Sequence, residues 1–352
     1  MREWEKNFRQ VMPYTPGEQP KETDIIKLNT NENPYPPAPA VREALKNMDV
    51  ERLRLYPDPR AEALTGALAD YYGLRKEQVF VGVGSDDVLG MAFLTFFNSD
   101  KPVLFPDITY SFYDVWAGLF RIPYETPALD ERFRIRARDY DRENGGVIFP
   151  NPNAPTGEAV GLDFIEDVLS HNQDVVVIVD EAYVDFGAAS ALPLIEKYEN
   201  LLIVQTFSKS RALAGLRIGF AMGNERLIQA LDNVKYAYNS YTMNTPAIAL
   251  GEEAIKDQEY FEETTAKIIA EREHAKEEFR RLGFVFGDSM ANFIFVTHPE
   301  HPAKEIFEYL KTRKIYVRHF NTGRISNYLR VTVGTEEQME AVFAALREYL
   351  KA

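Results

Sequence analysis

Four short segments carry residue types that could do chemistry, and each follows an apolar run. Asp180 comes directly after Val175–Val179, an unbroken stretch of Val and Ile. An ionised carboxylate at the end of a buried strand needs a partner. A helix terminus, a structural arginine or the protonated nitrogen of an aromatic ring would each serve. Lys209 closes Thr206-Phe207-Ser208-Lys209, just past Leu201–Val204. Alone, a lysine there is more often a surface charge. Among small residues after a buried strand it can instead be a Schiff-base amine, a role that calls for a lowered pKa. Arg217 follows in Ala214-Gly215-Leu216-Arg217-Ile218-Gly219. The two glycines suggest a close-packed turn with the guanidinium pointing inward, where Arg217, Thr206 and Ser208 offer donors to a phosphate. Gly82-Val83-Gly84-Ser85-Asp86-Asp87 lies between a strand and an apolar helix. Glycines let backbone approach an anion, and a helix N-terminus presents free N–H groups. Ser85 or Asp86 would equally make an ordinary N-cap. The segment is neither a P-loop nor a complete dinucleotide fingerprint, because Asp87 stands where a third glycine would be needed. Asn151-Pro152-Asn153-Ala154-Pro155-Thr156-Gly157 reads as a turn in its own right, and an Asn in it could hydrogen-bond a ring hydroxyl.

One ligand accounts for all of these together. A phosphorylated aromatic aldehyde such as pyridoxal 5′-phosphate needs an amine, a carboxylate for its ring nitrogen, a stacking partner and a phosphate cup. The elements that must hold these groups are legible in the same sequence. From about Ala40 to Asn233, helical stretches such as Ala61–Tyr72 alternate with the short apolar runs Val79–Val83, Pro102–Phe105, Gly146–Phe149, Val175–Val179 and Leu201–Val204. That alternation predicts a doubly wound, mostly parallel α/β domain with its ligands at the carboxyl ends of the strands. After Pro246 the pattern becomes a smaller α+β module. It has a long charged helix over Gln258–Leu282, a strand over Asn292–Val296 and a helix over Pro302–Thr312. Strands near Ile315–Arg318 and Tyr328–Val333 and a last helix over Glu336–Tyr349 complete it. The first forty residues are too rich in Pro for a helix or a central strand and predict an extended arm lying on something else. The expected division is therefore an arm over 1–40, packed on a partner or on the small domain, a large domain over 41–245 and a small domain over 246–352.

Composition removes other classes of function. The chain of 352 residues has no cysteine, which excludes thiol nucleophiles, thiolate metal sites and disulfides. Its five histidines include no H-x-x-x-H pair, and no metal site is expected. A net charge of −14 disfavours nucleic acid, so anionic small molecules must be met by a few local arginines. The charged start lacks the apolar core of a signal peptide, and no apolar run approaches a bilayer span. A cytoplasmic location without membrane contact is expected.

The combination Asn-Pro-x-x-Pro-Thr-Gly, Asp180-Glu181-Ala182-Tyr183, Ser208-Lys209 and Gly215-Leu216-Arg217-x-Gly219 resembles fold-type I pyridoxal-phosphate enzymes of the class II aminotransferases. Within them the chain is similar from end to end to the histidinol-phosphate aminotransferase family. The further marks are Tyr14 to Pro20, Leu28 to Pro34, Leu55-Tyr56-Pro57-Asp58 and Leu329 to Thr335. The resemblance implies that Lys209 carries the cofactor and shuttles a proton, that Asp180 pairs with the ring nitrogen, and that Tyr183 and Asn153 bond the ring hydroxyl. It implies Tyr110 as the stacking partner, and Ser85, Asp86, Thr206, Ser208 and Arg217 around the phosphate. Tyr56 would reach a neighbouring subunit's phosphate, which makes a homodimer with shared sites. Arg330 would bind the substrate anion, with Arg318, Tyr14, Asn31 and Asn292 on the substrate side. The sequence departs from the family's usual pattern at Ala154, where Asn normally precedes Pro-Thr-Gly. The implied reaction moves an amino group from glutamate to imidazole-acetol phosphate. The same cofactor motifs would serve a threonine-phosphate decarboxylase or an aromatic aminotransferase. A non-catalytic regulator would need room for a DNA-binding domain, and the N-terminal segment has none.

Overall fold

The computed structural model describes residues 2–351. Its centre is a seven-stranded sheet. In spatial order the strands are Val79–Gly82, Gly219–Gly223, Leu201–Thr206, Val177–Asp180, Gly146–Pro150, Val103–Leu104 and Tyr124–Glu125. Every pairing is parallel except the two made by Gly219–Gly223. The central strands are buried along their whole length, which explains why they read as continuous apolar runs. Val177–Asp180 starts two residues later than the apolar run, because the Val175 N–H is already bonded to the Asn172 carbonyl.

The register does the positioning. Asp180 sits opposite Pro150 on one side and Val204 on the other. Gly219 sits between Thr206 and Gly82. The residues picked out by type therefore emerge at one edge of one sheet, at the carboxyl ends of its parallel strands.

A second core lies in the C-terminal region. Four antiparallel strands, in the order Arg318–His319, Leu329–Thr332, Phe293–Thr297 and Val285–Phe286, pack with the helices Ala303–Thr312 and Glu336–Lys351. The strand expected near Ile315–Arg318 is split. Ile315–Tyr316 pairs in parallel with Ile26–Lys27, whereas Arg318–His319 joins the four-stranded sheet. The end of the arm is thus a strand of the small domain, and Leu28 lies in that domain's core.

The boundary expected at 246 falls elsewhere. The helix Thr245–Lys256 buries Ala247, Ile248, Leu250, Ala254 and Ile255 in the same core as Leu64, Leu68 and Ile218, so it belongs to the large domain. The passage to the second core runs along the helix Gln258–Arg281, from Tyr260 against the first core to Ile268, Ala275 and Phe279 in the second. An amphipathic helix reads the same whichever core receives its apolar face.

Candidate active site

A cleft of about 520 Å³ opens where the strand ends meet the arm and the small domain. Lys209, Asp180, Tyr183, Tyr110, Ser85, Asp86, Thr206, Ser208, Arg217, Arg330, Tyr14 and Asn31 all line it.

Asp180 is at its floor, 4% exposed. Burial pushes its carboxyl up to about 6, against the hydrogen bonds it accepts from the Tyr113 hydroxyl at 2.8 Å and the Ala182 N–H at 3.2 Å. Tyr113, buried on the helix Tyr113–Phe120, was not marked by the sequence. Nothing local signals a bond between residues 67 positions apart. Glu181 next door faces the other way. It accepts from Ser190, the Ala191 N–H and Gln205, and burial raises its carboxyl to about 7.

Lys209 Nζ donates to the Thr30 carbonyl at 3.1 Å and stands 5.6 Å from the Tyr183 ring centroid. Asn33 holds the backbone beneath it by donating to the carbonyls of Lys209 and Ser210. The segment Asn29–Asn33 thus fixes the lysine from the opposite domain.

The donors expected around a phosphate do converge. Thr206 Oγ1 accepts from the Ser208 N–H and donates to Ser208 Oγ at 3.0 Å. Arg217 reaches Ser208 Oγ at 3.4 Å and Asp86 at 3.1 Å, and Tyr110 donates to the same Asp86 carboxylate at 2.6 Å. Asp86 therefore contributes its carboxylate as a brace between Tyr110 and Arg217. Two glycines make the approach possible. A Cβ on Gly84, at φ +84°, would lie 2.5 Å from the Arg217 guanidinium, and one on Gly219 would overlap the Ser85 nitrogen and Gly84 carbonyl carbon. Gly215 does not belong with them, since a Cβ there would meet nothing within 4 Å. It is Arg217 itself that adopts the left-handed conformation, at φ +55°.

On the small-domain side Arg330 is half-buried, with its guanidinium 5.3 Å from the Phe293 ring centroid and one nitrogen bonded to the Asn29 carbonyl at 3.0 Å. Its Nε is buried without a partner. Burial and the neighbouring Arg318 charge both lower its pKa from the usual arginine value. A half-buried cation with a buried, unanswered donor fits an anionic ligand. Tyr14 stacks on Phe112 with ring centroids 4.1 Å apart, which brings the arm over its own chain's cleft.

Four expected residues do not line the cleft. Asn153 commits its amide to Thr156 in its own turn and to the segment Ile108–Thr109, donating to the Ile108 carbonyl and Thr156 and accepting from Thr109, so Ala154 is the residue that faces the ligand space. Asn292 is fully buried and donates to the Asn31 carbonyl at 3.0 Å. Arg318 pairs across from Arg330 in the sheet and stacks near Phe320. Tyr56 is 83% exposed, against Tyr241 at 4.8 Å.

The arrangement has the parts that pyridoxal phosphate requires: a primary amine, a buried carboxylate opposite a ring position, an aromatic wall and a polar cup floored by glycine. Residues 23–346 match the model of the family aminotransferase class I and II, and the chain belongs to that family. Among its relatives, the histidinol-phosphate aminotransferase of Lactococcus lactis subsp. cremoris is 50% identical over 99% of this chain and 98% of its own length. That of Clostridium acetobutylicum is 51% identical over 98% of each. The histidinol-phosphate aminotransferase of Sinorhizobium meliloti, solved in complex with pyridoxal-5′-phosphate, superposes with a TM-score of 0.83. It is 25% identical, over 93% of this chain and 91% of its own. The L-threonine-O-3-phosphate decarboxylase of Porphyromonas gingivalis shares the fold with a TM-score of 0.78 at 19% identity, over 93% of this chain and 100% of its own, so the fold alone does not select the reaction.

Proposed function

We propose that this chain transfers an amino group between glutamate and imidazole-acetol phosphate, giving L-histidinol phosphate and 2-oxoglutarate, a step of histidine biosynthesis. The observation that carries the reading is the convergence of Lys209, Asp180 and the Thr206–Ser208–Arg217 donors on one cleft that the half-buried Arg330 also lines. About 50% identity to histidinol-phosphate aminotransferases over nearly the whole chain supports the choice of substrate.

Bound in this cleft, pyridoxal 5′-phosphate supplies an aldehyde that accepts the amino group and a pyridinium ring that withdraws electrons from it. The chain's own residues do the rest. Lys209 is the amine that holds the cofactor and, once released from it, carries a proton at Nζ. Asp180, as a carboxylate, holds the proton on the ring nitrogen. Thr206, Ser208 and Arg217 anchor the phosphate, and Tyr110 walls the ring. Arg330 binds the substrate's anionic group, carboxylate for glutamate and phosphate for the ester, in the planar fork geometry that suits both. Tyr14 and Phe112 close the substrate side with apolar surface.

We also infer a homodimer with shared sites. Tyr56 is exposed and does not line its own cleft, and the exposed Leu53 and Leu55 precede it in the chain while the exposed Tyr241 packs on its ring. No described helix is long and apolar enough to cross a membrane. A cytoplasmic location is part of the same proposal, because glutamate is drawn from that pool.

Steady-state assays with the cofactor-loaded protein test the reading. Glutamate with imidazole-acetol phosphate should give the highest kcat/KM. Faster turnover of phenylalanine as donor, or carbon dioxide release from threonine phosphate, would assign a different reaction to the same cleft.

A further inference from the structure

We infer that Asn31 is a positioning residue that forces the Tyr183 hydroxyl to act as a hydrogen-bond donor toward the cleft, and that Thr332 sets the direction of that relay. The inference rests on the cofactor reading above, because the group that receives the proton is the ring oxygen of the bound cofactor.

Thr332 is buried, 1% exposed. Its oxygen accepts from the Asn31 N–H at 3.1 Å and donates to Asn31 Oδ1 at 3.0 Å. Were the Asn31 amide turned over, its NH₂ would face Thr332, and that buried hydroxyl would receive two donors and have no acceptor for its own proton. Buried polar hydrogens are rarely left so. The amide orientation is therefore fixed, with Nδ2 toward Tyr183, and it donates to the Tyr183 oxygen at 2.9 Å. An amide NH₂ cannot accept a hydrogen bond. The phenolic proton of Tyr183 must go elsewhere, and among the described residues no side chain or carbonyl takes it. It is left for a group in the cleft that Tyr183 lines.

The surroundings keep this relay rigid. Asn292 donates to the Asn31 carbonyl, and Asn31 stands in the left-handed region at φ +58°, a conformation Asn tolerates better than most residues. The Tyr183 ring is held edge-on against Phe293 at 5.1 Å. On the facing turn Ala154 has no polar side-chain atom, and the Asn153 amide is committed to the Ile108 carbonyl and Thr156. Tyr183 is thus left to serve the ring oxygen, and its donor direction comes from Asn31 rather than from the turn.

A proton donated to the ring oxygen competes with the internal hydrogen bond that stabilises the protonated lysine-bound cofactor. The donor therefore lowers the pH at which that form loses its proton, which visible absorbance reads directly. The test compares holoprotein titrations of the wild type, Asn31→Gly, Tyr183→Phe and the double variant. Glycine is chosen because it accepts the positive φ. Asn31→Gly should move the midpoint upward by roughly half a unit to one unit, about the free energy of one hydrogen bond. Tyr183→Phe should move it at least as far, and the double variant should match Tyr183→Phe alone. Thr332→Val, which frees the amide to turn, should shift it in the same direction and keeps the test open if Asn31→Gly does not fold. An unmoved midpoint in Asn31→Gly, or in Thr332→Val should the former not fold, overturns the inference, as does an Asn31→Gly shift that persists in the Tyr183→Phe background. A wild-type protein with no pH-dependent visible band overturns the cofactor reading itself.

Discussion

Asp180 is poor for the fold, and the proposed chemistry is what gives its carboxylate a use. Its folded-state pKa of about 6 lies above the ordinary 3.8 because burial disfavours the charge. Between those values the folded chain keeps a proton that the unfolded chain gives up. Stability of the cofactor-free protein therefore falls as pH rises from about 4 to 6 and stays lower above. A shift of about two units corresponds to roughly 3 kcal/mol. Asp180→Asn, which keeps the shape and the Tyr113 contact but turns an NH₂ onto the Ala182 N–H, should gain on the order of 2–3 kcal/mol relative to wild type in the cofactor-free protein between pH 4 and pH 8. The same variant should bind the cofactor more weakly, since no anion answers the ring nitrogen. Urea unfolding at the two pH values and a cofactor titration check both halves. A variant with no such gain would show that the carboxylate is structural.

At the scale of elements, the cup for the phosphate is made by two backbone segments in contact, the strand starting at Gly219 and the loop Gly82–Gly84. Gly219→Ala would drive its Cβ into the Ser85 nitrogen and the Gly84 carbonyl carbon, which are backbone atoms that cannot rotate aside. Overpacking of this kind typically costs about 1–3 kcal/mol, and here the displaced loop is the proposed phosphate loop, so cofactor affinity should fall at least tenfold. Gly215→Ala, where the Cβ meets nothing, is the matched control and should change neither. Thermal melts and cofactor titrations of both variants check this, and equal effects would contradict it. The pair also shows where sequence reasoning stops. Both glycines stood beside Arg217 and read alike, yet contact with a segment more than a hundred positions away gives only one of them a function. Lys209 and Asp180 were legible because buried parallel strands announce their ends. Asn292 was misplaced because its amide is drawn to the Asn31 carbonyl, a contact 261 positions away that nothing local signals. Tyr113 and Thr332 were missed because their roles are long-range hydrogen bonds.

For the whole molecule, the two cores meet at the cleft, and the arm and the segment Asn29–Asn33 stitch them together. The mostly parallel α/β sheet with its helices was legible from hydrophobic periodicity, and the fold type from the motifs at its strand ends. The passage between domains was not, because the helix Thr245–Lys256 could have served either core. Assembly gives the prediction proper to this scale. If Tyr56 completes a neighbour's site, chains carrying Lys209→Ala and chains carrying Tyr56→Ala are each inactive, yet hybrids of the two contain one site with neither substitution. Co-refolding the two variants should restore measurable activity. An active monomer in sedimentation, or no recovery despite hybrid formation, would contradict the shared site.

The most direct test of the central claim is a single half-reaction. The cofactor-loaded protein is mixed with L-histidinol phosphate in the absence of any keto acid, and the cofactor's absorbance is followed while the product is quantified. Histidinol phosphate has no carboxylate to lose, so a decarboxylase can do nothing productive with it. The account predicts loss of the lysine-bound absorbance, one imidazole-acetol phosphate formed per site, and recovery of the absorbance with formation of glutamate when 2-oxoglutarate is added. An unchanged spectrum at saturating histidinol phosphate, in protein whose cofactor is reduced onto Lys209 by borohydride, would contradict it.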